Sequence, residues 1–516
     1  MTGEFTRRVD ELPGEPTSPW MATTPDAAYP AFEEDLETDV CVVGAGIAGL
    51  STAIELRDRG LTVTVLERDR VACGTTGKST AKVTSQHGLC YDSLRRQFGR
   101  DAASQYATIN ETAIDTVEAR IDDLEIDCGF ERQPAYCYGD NPDELRRETD
   151  AARAAGLPAS LVRSVPPFER AMAAVKFDDQ AWFHPRAYLL GIAEALHEDD
   201  GARIHERTRV TSVHPGNRPR VETAGASVTA DHLVLATGFP LLDRAGYFTR
   251  LYPKRSYVLG LRIGVEPPEG MYYRADDSYH SVRSHSDGSE TLLLVGGEPH
   301  KTGQGGSTAE RYRRLLRWAR DRFPIESVAY RWSTQDYVSV DRLPLIGRAG
   351  PGAKGVSIAT GFGGWGMTSG TAGGRLLADS IAGAEPSALE LFDPLRFTPK
   401  ASLSKAATEN VDAASQFVTD WVRTLVSPDT SAISPGEGRV LREGHRPIAA
   451  ARDDDGELHT LSAVCPHTGC LVDWNDAEYT WDCPCHGSRF DPDGTLLEGP
   501  ATEDLSSVGD PEPNRE

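Results

Sequence analysis

The sequence predicts an α/β, Rossmann-like domain with an antiparallel sheet (α+β), followed by a small all-β domain. Three observations support this prediction. An apolar strand runs directly into a glycine-rich turn and a helix near residue 44, strand-like segments recur between residues 257 and 295, and short strands surround two cysteine–histidine loops after residue 434. With 516 residues, the chain is long enough for two or three folded units.

Changes in composition divide the chain into five predicted segments. These are a polar, proline-rich and loosely held arm (1–36), a first folded unit (37–385), a linker (386–433), the small all-β domain (434–507) and a tail (508–516). Apolar residues recur at helical spacing between residues 410 and 426, which predicts a connector helix packed on the first unit. A helix that docks a partner is the less favoured alternative.

The first unit opens with a β-α-β pattern that is typical of dinucleotide binding. A strand leads into G-x-G-x-x-G, a helix and a second strand that ends at Glu67. Gly44 permits the tight turn, Gly46 lets the backbone approach a pyrophosphate, and Gly49 allows the helix to pack closely on the strand. Glu67 is expected to accept hydrogen bonds from ribose hydroxyls, which favours a ribose without a 2′-phosphate.

Two other glycine-rich segments resemble phosphate-binding motifs but lack the right context. Residues 72–79 approximate a P-loop, yet a loop separates them from the preceding strand and no clear helix follows, so ATP binding is not expected. Residues 350–355 also fit G-x-G-x-x-G, but a strand follows them. They are predicted to form a turn, and a second dinucleotide site is not expected.

The rest of the first unit mixes helices with strands. Residues 187–196 and 371–381 are predicted to be helical, and residues 231–238 form a buried strand that ends at a glycine turn. The alternating segments 257–263 and 291–295 predict an antiparallel sheet next to the substrate.

Two motifs late in this unit, D-x-x-P-x-I-G at residues 341–347 and A-x-G-x-G-G-x-G at residues 359–366, complete a recognisable set. Together with the opening fingerprint, they resemble the glycine/D-amino-acid-oxidase family of FAD enzymes. The resemblance implies an FAD-binding domain that oxidises an amine or an amino acid. It also implies that the later glycines line the isoalloxazine and that a loop after residue 74 wraps FAD. The residues concerned are Thr75, Thr76, Gly77, Gly361, Gly363, Gly364, Trp365 and Gly366.

The small domain carries C-x-H at Cys465 and His467 and C-x-x-H at Cys483 and His486. Two thiolates and two imidazoles, each pair on its own short loop, form the ligand set of a Rieske [2Fe–2S] cluster. Cys2His2 also suits zinc. However, C-x-H within one loop fits a zinc finger poorly, and the run C-P-C-H-G-S fits a Rieske loop well.

Cys470 and Cys485 stand inside these two loops without being needed as ligands. The arrangement resembles the Rieske proteins of respiratory and photosynthetic cytochrome complexes, which implies a Cys470–Cys485 disulfide. In those proteins a serine and a tyrosine after the second loop donate hydroxyl hydrogen bonds to the cluster sulfurs. Here Ser488 stands at the first position and Phe490 at the second, so one of the two hydroxyls is absent.

The combination predicts an FAD-dependent oxidoreductase that passes single electrons through the cluster to an external acceptor protein. One alternative reverses this flow, so that the cluster supplies the flavin or a partner oxygenase; another is a non-enzymatic redox sensor. Oxygenation at a mononuclear iron is disfavoured because its two-histidine, one-carboxylate motif is absent from the sequence. The substrate-site candidates are Arg255 and Tyr257, which share one strand face, and Lys82 and His87, which follow the flavin loop.

The net charge of −24 disfavours partners such as nucleic acid and anionic membranes. No apolar stretch approaches the length of a membrane span. Arg7 and Arg8 are not followed by an apolar segment, so a twin-arginine export signal is not expected. Five of the nine cysteines are scattered without metal-ligand spacing, which is typical of a reducing compartment. These features favour a cytoplasmic location, and the carboxylate excess favours a halophilic cytoplasm over an ordinary acidic one.

Overall fold

A computed structural model describes residues 12–168, 170–276, 279–286, 290–396, 430–444 and 446–508. The predicted connector helix at residues 410–426 lies outside these ranges. The described helices are α1 (Pro19–Thr23), α2 (Ile47–Asp58), α3 (Tyr91–Phe98), α4 (Arg100–Asp123), α5 (Pro142–Ala154), α6 (Pro185–His197), α7 (Tyr247–Arg250), α8 (Thr308–Arg320), α9 (Gly366–Ile381) and α10 (Ala388–Phe392).

The described strands form four sheets. They are β1 (Leu36–Val43), β2 (Val63–Leu66), β3 (Lys82–Val83), β4 (Glu131–Gly139), β5 (Ala159–Val162), β6 (Ala173–Trp182), β7 (Ala202–His205), β8 (Ser212–His214), β9 (Arg220–Glu222), β10 (Ser227–Leu235), β11 (Leu251–Ile263), β12 (Met271–Arg274), β13 (His280–Ser286), β14 (Thr291–Lys301), β15 (Ile325–Ser339), β16 (Leu345–Arg348), β17 (Val356–Thr360), β18 (Gly438–Glu443), β19 (Arg446–Arg452), β20 (Leu458–Ser462), β21 (Asp473–Asn475), β22 (Thr480–Asp482), β23 (Arg489–Phe490) and β24 (Leu496–Glu498).

The first sheet has the strand order β16-β17-β10-β1-β2-β7, and the pairs from β17 to β7 are parallel. β2 is buried along its whole length, as expected of a strand covered on both faces. α2 and α9 pack closely because small residues face each other: a Cβ added to Gly374 would stand 2.7 Å from the Ser51 Cβ. The predicted α/β class is therefore confirmed.

The second sheet has the order β15-β11-β14-β13-β12-β4-β6-β3, with β5 paired to β6. Its longest ladder joins β11 and β15, from Leu251 opposite Ser339 to Ile263 opposite Ile325. This ladder is antiparallel, as is the neighbouring ladder between β11 and β14. The β12–β4 ladder is parallel and the other ladders of this sheet are antiparallel, so the sheet beside the Rossmann-like domain is mostly, not entirely, antiparallel as predicted.

The small C-terminal domain consists of two antiparallel sheets, β18-β19-β20 and β21-β22-β23-β24. Its core includes Trp481 and Phe490, which are both fully buried and lie opposite each other on β22 and β23. The domain is small and β-rich, as the sequence predicts.

Residues 12–35 are held more firmly than the predicted loose arm. Trp20 is fully buried, and its indole N–H donates to the Ser79 carbonyl at 2.7 Å. The Ser18 hydroxyl donates to the Gly77 carbonyl at 2.6 Å. The aromatic side chain, which composition alone does not distinguish, attaches this segment to the loop after residue 74.

Several local predictions are confirmed. The predicted helices at residues 187–196 and 371–381 correspond to α6 and α9. Residues 350–355 form the turn between β16 and β17, with glycines at positive φ. Within the described residues, no helix combines the length and apolarity that crossing a bilayer requires.

Candidate functional site: a flavin cavity and a cluster site separated by one strand

The turn between β1 and α2 forms the start of a long cavity. Gly44 has φ +106°, and a Cβ added to Gly49 would stand 1.8 Å from the Gly44 carbonyl oxygen, so neither position accommodates another residue without displacement. The Glu67 carboxylate accepts from the Ala45 N–H at 2.7 Å and from the Asp69 N–H at 2.9 Å. Burial raises the pKa of Glu67.

The cavity continues from this turn past the 3₁₀ turn Thr75–Lys78 to the start of α9. Nine of the predicted cofactor residues line it: Gly44, Gly46, Glu67, Thr75, Thr76, Gly363, Gly364, Trp365 and Gly366. Gly49, Gly77 and Gly361 lie behind the wall and permit close backbone packing. A Cβ on Gly77, for example, would stand 2.1 Å from the Ala72 carbonyl oxygen. These residues fit an extended dinucleotide.

Lys82 lines the far end of the cavity, where its amino group contacts the Ser281 hydroxyl. Burial, and then the charge of Arg283, lower the pKa of Lys82 to about 7. Aromatic side chains of Tyr273 and Trp365 line the same end. Lys82 therefore places an amine of lowered pKa on the cavity wall.

His87 lies behind this wall. Its ring stacks on Trp365 at a centroid distance of 4.9 Å, and its Nδ1 is 2.6 Å from the Tyr106 hydroxyl. Burial lowers the pKa of His87 to about 3, so the ring is neutral at physiological pH. His87 supports Trp365 and is not one of the residues that line the cavity.

Arg255 and Tyr257 differ from their predicted position. They share one face of β11, as expected, but that face points away from the cavity. Arg255 is 1% exposed and approaches Glu478 and Glu498 of the C-terminal domain at 3.4 and 3.5 Å. Tyr257 lies beside His300, with its hydroxyl 3.0 Å from Nε2. Side chains alternate along a strand, so the neighbours of these residues face the cavity instead.

The cavity-facing residues of β11 and β15 were missed by the sequence-based prediction. They are Lys254, Ser256, Val258, Thr334, Asp336 and Tyr337. Burial, and then the charge of Arg342, lower the pKa of Lys254. The alternation itself gave a usable signal, because the residues on either side of Arg255 had to occupy the opposite face.

The predicted cluster ligands come together in two loops of the C-terminal domain. Cys465 and Cys483 are buried, and their sulfur groups are within hydrogen-bonding contact. The rings of His467 and His486 lie 4.9 Å apart. Within the described part of the chain, Nδ1 of each histidine is buried and has no hydrogen-bond partner.

The remaining nitrogen of His486 indicates how that histidine binds. Its Nε2 lies 3.0 Å from the Phe248 carbonyl oxygen, which can only accept a hydrogen bond, so Nε2 carries the proton. Nδ1 then carries no proton and has a free lone pair. This neutral form of imidazole is the one that ligates iron. Two thiols and two unpartnered nitrogens fit a [2Fe–2S] cluster.

Cys470 and Cys485 form a disulfide in the structure, as the resemblance implied. Their sulfur atoms and that of Cys483 lie within 4.8 Å of one another, so the disulfide is next to a predicted ligand. The Ser488 hydroxyl contacts the Cys465 sulfur, whereas the Phe490 ring is fully buried in the domain core.

One strand, β15, separates the two sites. Thr334 and Asp336 face the cavity. Gln335 and Tyr337 reach the C-terminal domain, where they donate to backbone carbonyls of the second ligand loop: Gln335 to Gly487 at 2.8 Å, and the Tyr337 hydroxyl to His486 at 3.1 Å. Tyr337 also lines the cavity, so it contacts both sites.

The domain contact behind this strand is strongly charged. Arg255 and Arg489 share the carboxylates of Glu478, Asp482 and Glu498, and we call these five residues the interdomain charge cluster. Burial alone raises the pKa of Glu478, but Arg489 and Arg255 outweigh it and lower this pKa to about 2. The Glu478 carboxylate is therefore ionised and pairs with Arg489 of its own domain and with Arg255 across the domain boundary.

Comparison with known proteins agrees with this geometry. Residues 39–380 match the sequence profile of the FAD dependent oxidoreductase family, and residues 423–509 match that of the Rieske [2Fe-2S] domain. A putative Rieske 2Fe-2S iron-sulfur protein of Bacillus subtilis, YhfW, is 38% identical over 96% of this chain and 97% of its own length.

Two further similarities cover the first unit. The gamma-glutamylputrescine oxidoreductase of Escherichia coli is 24% identical over 72% of this chain and 90% of its own length. The crystal structure of glycine oxidase from Geobacillus kaustophilus superposes with a TM-score of 0.58 and 20% identity, over 70% of this chain and 99% of that one. The similarity to glycine oxidase shows a shared fold alone.

Proposed function

The chain belongs to the family of FAD-dependent oxidoreductases and carries a Rieske domain, and from this premise we propose that it oxidises an amine or amino-acid-like substrate and delivers single electrons to an external acceptor protein. FAD supplies a two-electron acceptor when bound, and the [2Fe–2S] cluster supplies a one-electron carrier. The observation that carries the proposal is the position of β15, whose two faces contact the flavin cavity and the cluster loops.

Lys82 and Lys254 give the cavity its chemistry. Lys82, with its pKa lowered to about 7, is neutral in part at physiological pH and takes a proton from the ammonium group of a substrate. Lys254 lines the same cavity and supplies a cation that a substrate carboxylate can pair with. The Tyr273 and Trp365 rings exclude water around the reacting atoms.

Hydrogen bonds between the two sites support intramolecular transfer. The Gly363 N–H, on the cavity wall, donates to the Tyr337 carbonyl at 3.0 Å, and the Tyr337 hydroxyl reaches the cluster loop. A second connection runs from the Thr75 hydroxyl to the Gln335 carbonyl at 2.8 Å. Both connections pass through β15.

The proposed location is the cytoplasm. The cysteines outside the Rieske loops, namely Cys41, Cys73, Cys90, Cys128 and Cys137, are unpaired, which supports a reducing compartment. We also propose adaptation to high salt, which the net charge of −24 supports.

Anaerobic titration of the holoprotein tests the proposed activity. Glycine, other amino acids and γ-glutamylputrescine would be added in turn while flavin absorbance and the EPR signal of the reduced cluster are recorded. We expect one amine to bleach the flavin and to produce the cluster signal in the same titration, whereas the matched 2-hydroxy acids leave both unchanged. A flavin that bleaches without any cluster signal would contradict transfer between the sites. An unreactive flavin across all amines would contradict the substrate class.

A further inference from the structure

The C-terminal domain supplies part of the flavin cavity itself. We call residues 496–502 the third loop, because they follow the two ligand loops in the chain. The segment consists of β24 and the four residues after it. Five of its residues line the cavity together with residues of the first unit: Leu496, Glu498, Gly499, Ala501 and Thr502. No cofactor-binding role for this segment follows from the β-α-β fingerprint or from the ligand loops.

The third loop is fastened to the cavity wall beside Glu67. The Arg68 guanidinium donates to the Leu497 carbonyl. Arg209 pairs with Asp504 at 3.0 Å, and the same Asp504 oxygen accepts from the Leu496 N–H at 3.0 Å. Arg68 and Arg209 both line the cavity, so Asp504 connects two parts of one wall.

The same loop also packs against the second ligand loop. The Ala501 N–H donates to the Ser488 hydroxyl oxygen at 3.1 Å. A Cβ added to Gly499 would stand 2.4 Å from the Ser488 Cα, so the two backbones are in close contact. The third loop therefore contacts a cluster-site residue on one side and the flavin cavity on the other.

We propose that the third loop is a component of the FAD-binding site, so that FAD affinity depends on the Rieske domain being folded and docked. A ligand that contacts the docked state alone stabilises that state by its own binding energy. FAD and domain docking therefore stabilise each other, and binding of FAD is weakened by any change that displaces the third loop.

Two variants of the full-length holoprotein test this proposal, each with a matched control. Thr502→Trp places a large side chain at the cavity wall, whereas Glu503→Trp places it at the adjoining exposed position, which does not line the cavity. Asp504→Ala removes the acceptor for Arg209 and Leu496. Asp493→Ala removes a carboxylate of the same domain that pairs with His459 instead.

The measurements are the Kd for FAD, from reconstitution of the deflavinated protein, and cluster content, from EPR and acid-labile sulfide. We expect Thr502→Trp and Asp504→Ala to raise the Kd by about tenfold or more, which corresponds to about 1.4 kcal/mol, with full cluster content. We expect both controls to retain the wild-type Kd. Wild-type affinity in Thr502→Trp would overturn the proposal. If Thr502→Trp loses its cluster, the test depends on Asp504→Ala. An unchanged Kd for FAD in Asp504→Ala would then overturn the proposal.

Discussion

The amino group of Lys82 is buried at the end of the cavity where the proposed oxidation occurs, and burial favours its neutral form. Because the neutral amine is the base, kcat/KM is expected to rise with pH through about 7 and then to level off. Lys82→Met should remove this inflection and lower kcat by roughly 10²–10⁴-fold. A pH series of steady-state rates measures both effects.

Lys254→Met is the matched control, since Lys254 lines the same cavity. Loss of its cation should raise KM for an amino acid while the inflection near pH 7 remains. If Lys82→Met retains the inflection, Lys82 is not the proton acceptor.

At the cluster, Ser488 and Phe490 allow a prediction of redox potential. The Ser488 hydroxyl contacts the Cys465 sulfur, and such a bond stabilises the more negative, reduced state. A hydrogen bond to a charged group is worth about 1.5–3 kcal/mol, and about 1.4 kcal/mol corresponds to 59 mV for one electron. Ser488→Ala should therefore lower the potential by several tens of millivolts or more, and Phe490→Tyr should raise it.

Protein-film voltammetry on the wild type and the two variants measures this, with flavin content as the control. The Phe490 ring is fully buried, so Phe490→Tyr also requires the new hydroxyl to find a partner. A potential that moves in neither variant would mean that these positions do not contact the cluster.

The residues of the cluster site were easier to predict from the sequence than those of the cavity. The four cluster ligands lie within two short loops, so local spacing was enough to predict that Cys465 and His467 meet Cys483 and His486. For Lys254 the local signal was incomplete, because strand alternation places it on the face opposite Arg255 without showing which face meets the cavity. Its exposure to the cavity depends on which face of β11 the C-terminal domain covers, and that contact joins residues far apart in the chain.

At the scale of elements, β11 carries two arginines in contrasting environments. Arg255 is buried in the interdomain charge cluster, whereas Arg262 pairs with Glu290 at the surface and is 44% exposed. Arg255→Met leaves the buried Asp482 and the partly buried Glu478 and Glu498 with one arginine, and breaking a buried pair costs about 3–5 kcal/mol. Arg262→Met should cost about 0.2–1 kcal/mol. Urea unfolding of the holoprotein, followed by flavin fluorescence and cluster absorbance, compares the two.

Salt provides a second test of the same strand. Exposed ion pairs are screened at physiological ionic strength, and buried pairs are screened much less. The stability difference between Arg255→Met and the wild type should therefore persist in 1 M salt, while that of Arg262→Met should vanish. If the loss of stability in Arg255→Met disappears in 1 M salt, the result would contradict burial of Arg255 in the interdomain charge cluster.

The elements themselves were largely predictable. Strand and helix periodicity identified β10, α6 and α9, and the length of the β-α-β unit identified the dinucleotide fold. The arm at residues 12–35 was misjudged because its polar, proline-rich composition concealed one decisive residue: Trp20 is fully buried and hydrogen-bonded to the loop that lines the cavity. A single aromatic contact of this kind has no periodic signature.

At the scale of the whole molecule, the sequence predicted two units but not the face on which they meet. That face is specified by scattered charges on both sides, Arg255 on β11 and three acids between residues 478 and 498. Each charge is unremarkable in its own segment, since acidic residues are abundant throughout the chain. Their complementarity exists only after both domains have folded.

The interdomain charge cluster also has a consequence for anyone who wishes to exchange the modules of this protein. A Rieske domain from another source would bring its own cluster ligands but, without acids at the positions of Glu478, Asp482 and Glu498, it would bury Arg255 uncompensated. A graft therefore needs one of two changes. Either these three carboxylates are introduced into the new domain, or Arg255 is replaced by an apolar side chain. Arg255 thus restricts the C-terminal domains that can dock here to those that carry acidic residues at these positions.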